Sequence, residues 1–205
     1  MERTTISQPL PLLPLDSVLF PGGLLSLKVF EARYLDLMAT SLREHTPFGV
    51  VARRNNPHSA RIERAADLEA VGVIAELIEV DSPQAGILQV RCRGMQRFEV
   101  TEARQQDDGV WLSDANLVPD DSVVAPDVSM HATVRGLANA IATLQGQGSQ
   151  PFEQPYLFDQ AGWVANRWCE ILPISLLAKQ RLMELAEPAL RLQLVDEYLR
   201  GKGVV

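Results

Sequence analysis

The chain has 205 residues, 46% of them hydrophobic and 22% charged, with a formal net charge of -7. That size suits one large globular domain or two small ones, with ample material for a core. The acidic balance speaks against a general affinity for nucleic acid or anionic lipid, because phosphate binding rests on clustered Lys and Arg.

At the start of the chain, Pro9, Pro11, Pro14 and Pro21 interrupt any apolar run. No signal peptide is expected there. No apolar stretch approaches the roughly 20 residues of a membrane helix, so a cytoplasmic chain without a membrane partner is expected. Leu13-Pro14-Leu15 reads as an extended, proline-punctuated entry, and Phe20-Pro21-Gly22-Gly23 as a turn between apolar runs. Pro21 fixes its own φ and holds Phe20 extended, while the glycines permit positive φ. Leu25, Leu27 and Val29 then alternate with Leu24, Ser26, Lys28 and Phe30, the period of a strand. From Glu31 the period changes. Tyr34, Leu35, Met38 and Leu42 recur at helical spacing, with Arg33, Asp36, Arg43 and Glu44 on the other face.

Further strands are predicted over 48–52, 71–80, 86–94, 96–103 and 110–118, besides 24–30. Gly94 between two of them suits a tight hairpin or a bulge. Pro119 to Pro126 reads as a linker. Helical patterns follow over about 127–145, 159–171, 175–186 and 188–200. Asp159 is placed to cap the second of these and Pro173 to end it. Ser175 is placed to cap the third, and Pro188 suits the first turn of the fourth. One apolar face is predicted from Ala178, Leu182, Leu185 and Ala186, and another from Leu190, Leu194, Val195 and Tyr198. The chain thus divides at about residue 118 into a β-rich part (1–118) and a helical part (119–205).

Several of these segments, in order, resemble the amino-terminal substrate-binding domain of the Lon family of ATP-dependent proteases. Leu13-Pro14-Leu15, Phe20-Pro21-Gly22 and Phe30-Glu31-Ala32-Arg33-Tyr34 carry the likeness first. Phe48-Gly49-Val50-Val51, Val71 to Leu77, Val90 to Phe98 and Lys179 to Glu184 continue it. Val73 departs from the family pattern where a threonine is usual, and Met183 where a second leucine is. The resemblance implies an α+β fold: a small twisted barrel-like sheet of the pseudouridine-synthase-and-archaeosine-transglycosylase (PUA-like) type, then a helical bundle, together one Lon amino-terminal-type domain. It implies a non-enzymatic module without ATPase or protease parts. Its partners would be unfolded or exposed polypeptide segments, with a protease as a further partner and weak self-association as another property.

The residues give no catalytic signature to set against this. There is no Gly-x4-Gly-Lys-Ser/Thr loop, no Gly-x-Ser-x-Gly elbow and no His-Glu-x-x-His. His45, His58 and His131 stand apart and read as exposed. Asp107-Asp108 and Asp120-Asp121 read as surface turns rather than a carboxylate pair. Cys92 and Cys169, in a predicted strand and a predicted helix, read as reduced, buried thiols. No cofactor and no metal site is expected.

The candidate peptide-binding residues are therefore contact residues: Phe20, Pro21, Gly22, Gly23, Glu31, Arg33 and Tyr34. The turn at Phe20 either presents an apolar tip to a partner or folds Phe20 into the core. Glu31 and Arg33 are placed to form ion pairs at the strand-to-helix junction. Arg93 and Arg97 suit either an acidic partner or solvated strand positions. Arg53, Arg54, Arg61 and Arg64 form a local basic stretch, read as a solvated loop and strand end. Phe152, Tyr156, Phe158 and Trp163 suit either a peptide groove or the seam between bundle and sheet. The alternative functions are RNA binding, which PUA-like folds often perform, and a hydrolase with a site assembled by folding.

Overall fold

The computed structural model describes residue 6, residues 8–54 and residues 64–205. His58 and Arg61 lie outside the described residues. Two units are formed, Met1–Asp120 and Asp121–Val205. The first contains β1 (Leu10–Leu15), β2 (Leu24–Val29), α1 (Ala32–Glu44), β3 (Phe48–Ala52), β4 (Val71–Gln84), β5 (Ile87–Gln105) and β6 (Trp111–Leu117). The second contains α2 (His131–Gly146), α3 (Ala161–Ile171), α4 (Leu176–Glu184) and α5 (Pro188–Gly201). The fold is α+β, with six strands and five α-helices among the described residues.

The strands run in the order β2-β5-β4-β3-β1-β6, and β5 also pairs with β6. That last pairing closes β5, β4, β3, β1 and β6 into a barrel, which removes their edges. The end strand β2 lies on the first half of β5, from Leu24 opposite Arg93 to Val29 opposite Leu88. The second half of β5 pairs with β6, from Phe98 opposite Leu117 to Gln105 opposite Trp111. Leu10, Leu12, Val51, Leu68, Phe98, Trp111 and Ala115 form one cluster of the apolar core, and Phe20, Phe48 and Val90 are buried as well.

Two strand assignments differ from the sequence expectation. Residues 86–94 and 96–103 are one continuous strand, so Gly94 sits at no hairpin. It marks a bulge instead: the register shifts between Val73 opposite Arg97 and Ala75 opposite Gly94. A side chain at 94 would place its Cβ 2.3 Å from the Phe20 carbonyl oxygen. The proline-punctuated entry is itself a barrel strand, β1. Leu15 accepts a hydrogen bond from the Arg53 N–H (2.8 Å), so by alternation its odd residues face β3 and its even residues β6. Pro14 falls beyond the β6 pairing, which ends at Leu12, and Pro11 falls before the β3 pairing, which starts at Leu12. Neither missing N–H is required by a ladder.

In the helical unit, α3 is buried on most of its surface. Ser175 caps α4, accepting from the Ala178 N–H at 3.1 Å, and Pro188 opens α5. Asp159 is not a cap, because α3 starts one residue later, after Gln160. The predicted apolar faces are rotated. In α4, Gln180 and Met183 are the buried residues. In α5, Leu190 and Leu194 are each 43% exposed, and the buried stripe is Arg191, Leu192, Val195, Asp196 and Leu199.

Val195 of the predicted α5 face is buried, and beside it in the stripe Arg191 is fully buried. Its Nε donates to the Leu182 carbonyl (2.9 Å), its Nη1 to Asp121 (2.5 Å) and Asn166 (2.9 Å), and its Nη2 to Asp121 (3.1 Å) and the Leu185 carbonyl. All five guanidinium N–H groups are thereby satisfied. Asp121 is accordingly an internal partner, not part of a surface turn.

Candidate functional site

The described residues of the first unit form a cleft of about 1030 Å³. The ends of β1 and β2 and the start of α1 form its walls. Leu13, Leu15, Leu27, Val29 and Trp111 give it apolar surface, while Asp16, Lys28, Glu31, Arg33, Arg53 and Gln105 supply polar groups. Phe30 also lines it and is 66% exposed. An aromatic side chain left that open is unusual for a residue with core area to contribute.

The strand-to-helix switch at Phe30 and Glu31 positions this wall. Tyr34 and Met38 turn into the protein on the first turns of α1, which leaves Phe30 and Glu31 outside. The expected ion pair forms: Arg33 Nη2 and Nε donate to the Glu31 carboxylate at 2.8 and 3.1 Å. Arg33 Nη1 donates to the Gly109 carbonyl at 2.8 Å, and the guanidinium lies 4.6 Å from the centre of the Tyr34 ring. Arg33 thus ties α1 to the turn before β6. Burial raises the Tyr34 phenol above its usual range; the Arg33 charge pulls it down and Glu31 adds to the rise. On the opposite wall Arg53 pairs with Asp16 through two hydrogen bonds, Nε to Oδ1 at 2.8 Å and Nη2 to Oδ2.

The structure divides the candidate residues. Glu31, Arg33 and Tyr34 come together in the cleft. Phe20 to Gly23 do not line it. Phe20 is fully buried, Gly22 has φ 70°, and the Gly23 N–H closes the turn onto the Phe20 carbonyl at 2.9 Å. Phe20 is therefore core and the glycines reverse the chain. Asp16, Lys28, Phe30, Arg53 and Trp111 also line the cleft and were not among the candidate residues of the sequence. The one local signal for them was Phe30, an aromatic on the polar parity of β2.

Other readings resolve more simply. Arg97 is buried, only 3% exposed, and donates to the Pro119 carbonyl at 3.3 Å, so it is not a solvated strand residue. Arg93 lies against Glu76 and Arg54 against Glu69, each at 3.3 Å. His45 ends α1 and His131 begins α2, both exposed. Cys92 and Cys169 are buried, and burial pushes each thiol up to about 12. In the helical unit, Phe152, Tyr156 and Phe158 surround Trp163 with ring centres 5.4–6.4 Å away, and the Arg167 guanidinium lies over Phe152 and Trp163. Among the described residues no cluster of His, Cys, Asp and Glu is arranged to hold a metal ion. Among the described residues no helix is long and apolar enough to cross a membrane.

A closed barrel carrying an extra edge strand, with a four-helix unit in the same chain, defines the class of fold. The family model of the ATP-dependent protease La (LON) substrate-binding domain matches residues 9–201. The chain belongs to this family. A solved Lon N-terminal domain protein from Xanthomonas campestris superposes with a TM-score of 0.74 and 29% identity, over 92% of this chain and 96% of that one. The N-terminal domain of Mycobacterium avium complex Lon protease shares the fold, with a TM-score of 0.62 and 16% identity over 93% of this chain and 97% of that one. The Lon protease of Anaeromyxobacter dehalogenans (strain 2CP-C) is 26% identical over 98% of this chain, and Lon protease 2 of Myxococcus xanthus is likewise 26% identical over 98%. The chain spans about a quarter of the length of these curated relatives, 24% in each case.

Proposed function

We propose that the barrel unit binds polypeptide segments in the cleft beside β2 and α1, and that the role is recognition without catalysis. The observation that carries this reading is Phe30, 66% exposed on the wall of an open cleft with apolar and charged lining. An extended peptide would set an apolar side chain against Phe30, at the cleft wall that the half-buried Leu27 also lines. It would direct its polar groups to the ion-paired walls of Glu31–Arg33 and Asp16–Arg53. The family membership supports a polypeptide as the occupant. A cytoplasmic setting, a protease as a further partner and weak self-association belong to the same proposal.

Charge argues against RNA. Arg53, Arg54, Arg91, Arg93 and Arg104 each lie against a carboxylate, so these cations are already compensated rather than gathered into a phosphate track. Chemistry argues against a hydrolase: among the described residues the cleft lining includes no serine, cysteine or histidine, and thiols held near 12 are poor nucleophiles.

The test is fluorescence anisotropy of a labelled, permanently unfolded carboxymethylated polypeptide titrated with the chain. Phe30→Ala is expected to weaken binding by about fivefold or more, the scale of a buried interface anchor. Its stability should change by no more than about 0.5 kcal/mol, because the ring is exposed. Undiminished binding by this variant would remove the cleft from the account.

A further inference from the structure

The strand β2 is the end member of the sheet order, and among the described residues only β5 pairs with it. Its hydrogen-bonding sense is fixed by one bond. The Gly94 N–H donates to the Gly23 carbonyl at 2.8 Å, and Leu24 lies opposite Arg93 with no register shift through Val29. Antiparallel alternation then gives Leu25, Leu27 and Val29 to the β5 ladder. Leu24, Ser26 and Lys28 turn their N–H and C=O groups to the outer edge. The six residues of β2 include no proline, and their one charge, Lys28, guards the edge against strands that bring no carboxylate to meet it.

Charge on this strand points the same way. The two carboxylates of the cleft, Asp16 and Glu31, are held by Arg53 and Arg33. Lys28 is exposed, and among the described residues no carboxylate is paired with it. The charge left uncompensated at this wall is one ammonium, on the strand whose edge is open.

We propose that the outer edge of β2 accepts an extended polypeptide segment as an added strand, with an acidic side chain of that segment set against Lys28. This rests on the peptide-binding reading above and specifies its mode. Backbone hydrogen bonds to Leu24, Ser26 and Lys28 supply sequence-tolerant affinity, as strand addition does. The cross-strand acid adds selectivity for segments that alternate apolar residues with a central carboxylate.

The experiment uses a fluorescein-labelled peptide of about eight residues, alternating valine and threonine with one central glutamate, and two N-methylated forms of it. In one form the odd backbone nitrogens are methylated, in the other the even ones. An added strand turns only one parity toward β2, so one form should lose affinity by about tenfold or more and the other should bind as the parent does. Ser26→Pro, which removes one outward N–H and leaves the β5 ladder intact, should weaken the parent peptide. Lys28→Glu should shift the preference between central glutamate and central lysine by about two- to fivefold. Binding that is indifferent to methylation parity and to Ser26→Pro overturns strand addition, while the Phe30-dependent cleft reading survives. Failure of every peptide and of the unfolded polypeptide to bind overturns both.

Discussion

Replacing Asp121 by alanine removes the carboxylate that neutralises Arg191, and the structure sets the size of the loss. Arg191 is fully buried, and two of its five hydrogen bonds end on Asp121. The other three end on Asn166, Leu182 and Leu185, neutral oxygens that cannot offset a whole charge. A buried charge stripped of its partner costs about 3–5 kcal/mol. In a unit the size of Asp121–Val205 each kcal/mol is worth about 4–8 °C, so the variant should melt at least about 12 °C lower. Urea unfolding read by Trp163 and Trp168, in a Trp111→Phe background that silences the barrel unit, reports this unit alone. Adding Arg191→Met should cost much less than it does in the parent, giving a coupling energy of about 2 kcal/mol or more. A loss below about 1 kcal/mol, with the two substitutions additive, would mean that the pair behaves as a solvated surface bridge and would refute the reasoning.

Three further outcomes are expected. Gly94→Ala should destabilise the barrel unit by about 3 kcal/mol in urea melts, because its Cβ would sit 2.3 Å from the Phe20 carbonyl oxygen and backbone must move. Cys92 and Cys169 should resist iodoacetamide in the native chain and become labelled as their own units unfold, each followed by peptide mass spectrometry. Glu170 is held up to about 7 from 4.5 by burial, against the opposing charges of Arg167 and Lys179. A raised carboxyl favours the fold while protonated, so stability should fall as pH rises from about 4.5 to 7, by at most about 1.4 kcal/mol per unit. Glu170→Gln should flatten that decline in urea melts at about pH 5 and about pH 8.

What the sequence reveals depends on how locally each feature is encoded. The β2–α1 junction is legible because the apolar period changes from two to helical spacing at Glu31. The strand β1 is hidden because its prolines look like breakers, and only the pairing limits at Leu12 show why they are tolerated. Gly94 suits a hairpin or a bulge from sequence alone, so β5 looks like two strands; the bulge is the one formed, and Gly94 is needed for close approach to Phe20. The face of α5 is misread because a fully satisfied arginine lies in its buried stripe, and nothing local announces that Asp121 will meet Arg191. The cleft follows the same rule. Glu31, Arg33 and Tyr34 are near neighbours in sequence and line it together, while Asp16, Arg53 and Trp111 reach it only through barrel closure.

The central claim is that polypeptide occupies the cleft beside Phe30. Photo-crosslinking tests it most directly, with p-benzoylphenylalanine at position 30 and, as a control, at Val123, which is still more open at 78% exposed and lies in the other unit. Irradiation with the unfolded carboxymethylated polypeptide should give a crosslink from position 30 that excess unlabelled polypeptide abolishes, and none from position 123. Equal crosslinking from both positions, or none from position 30 under conditions where binding is measured, would contradict the account.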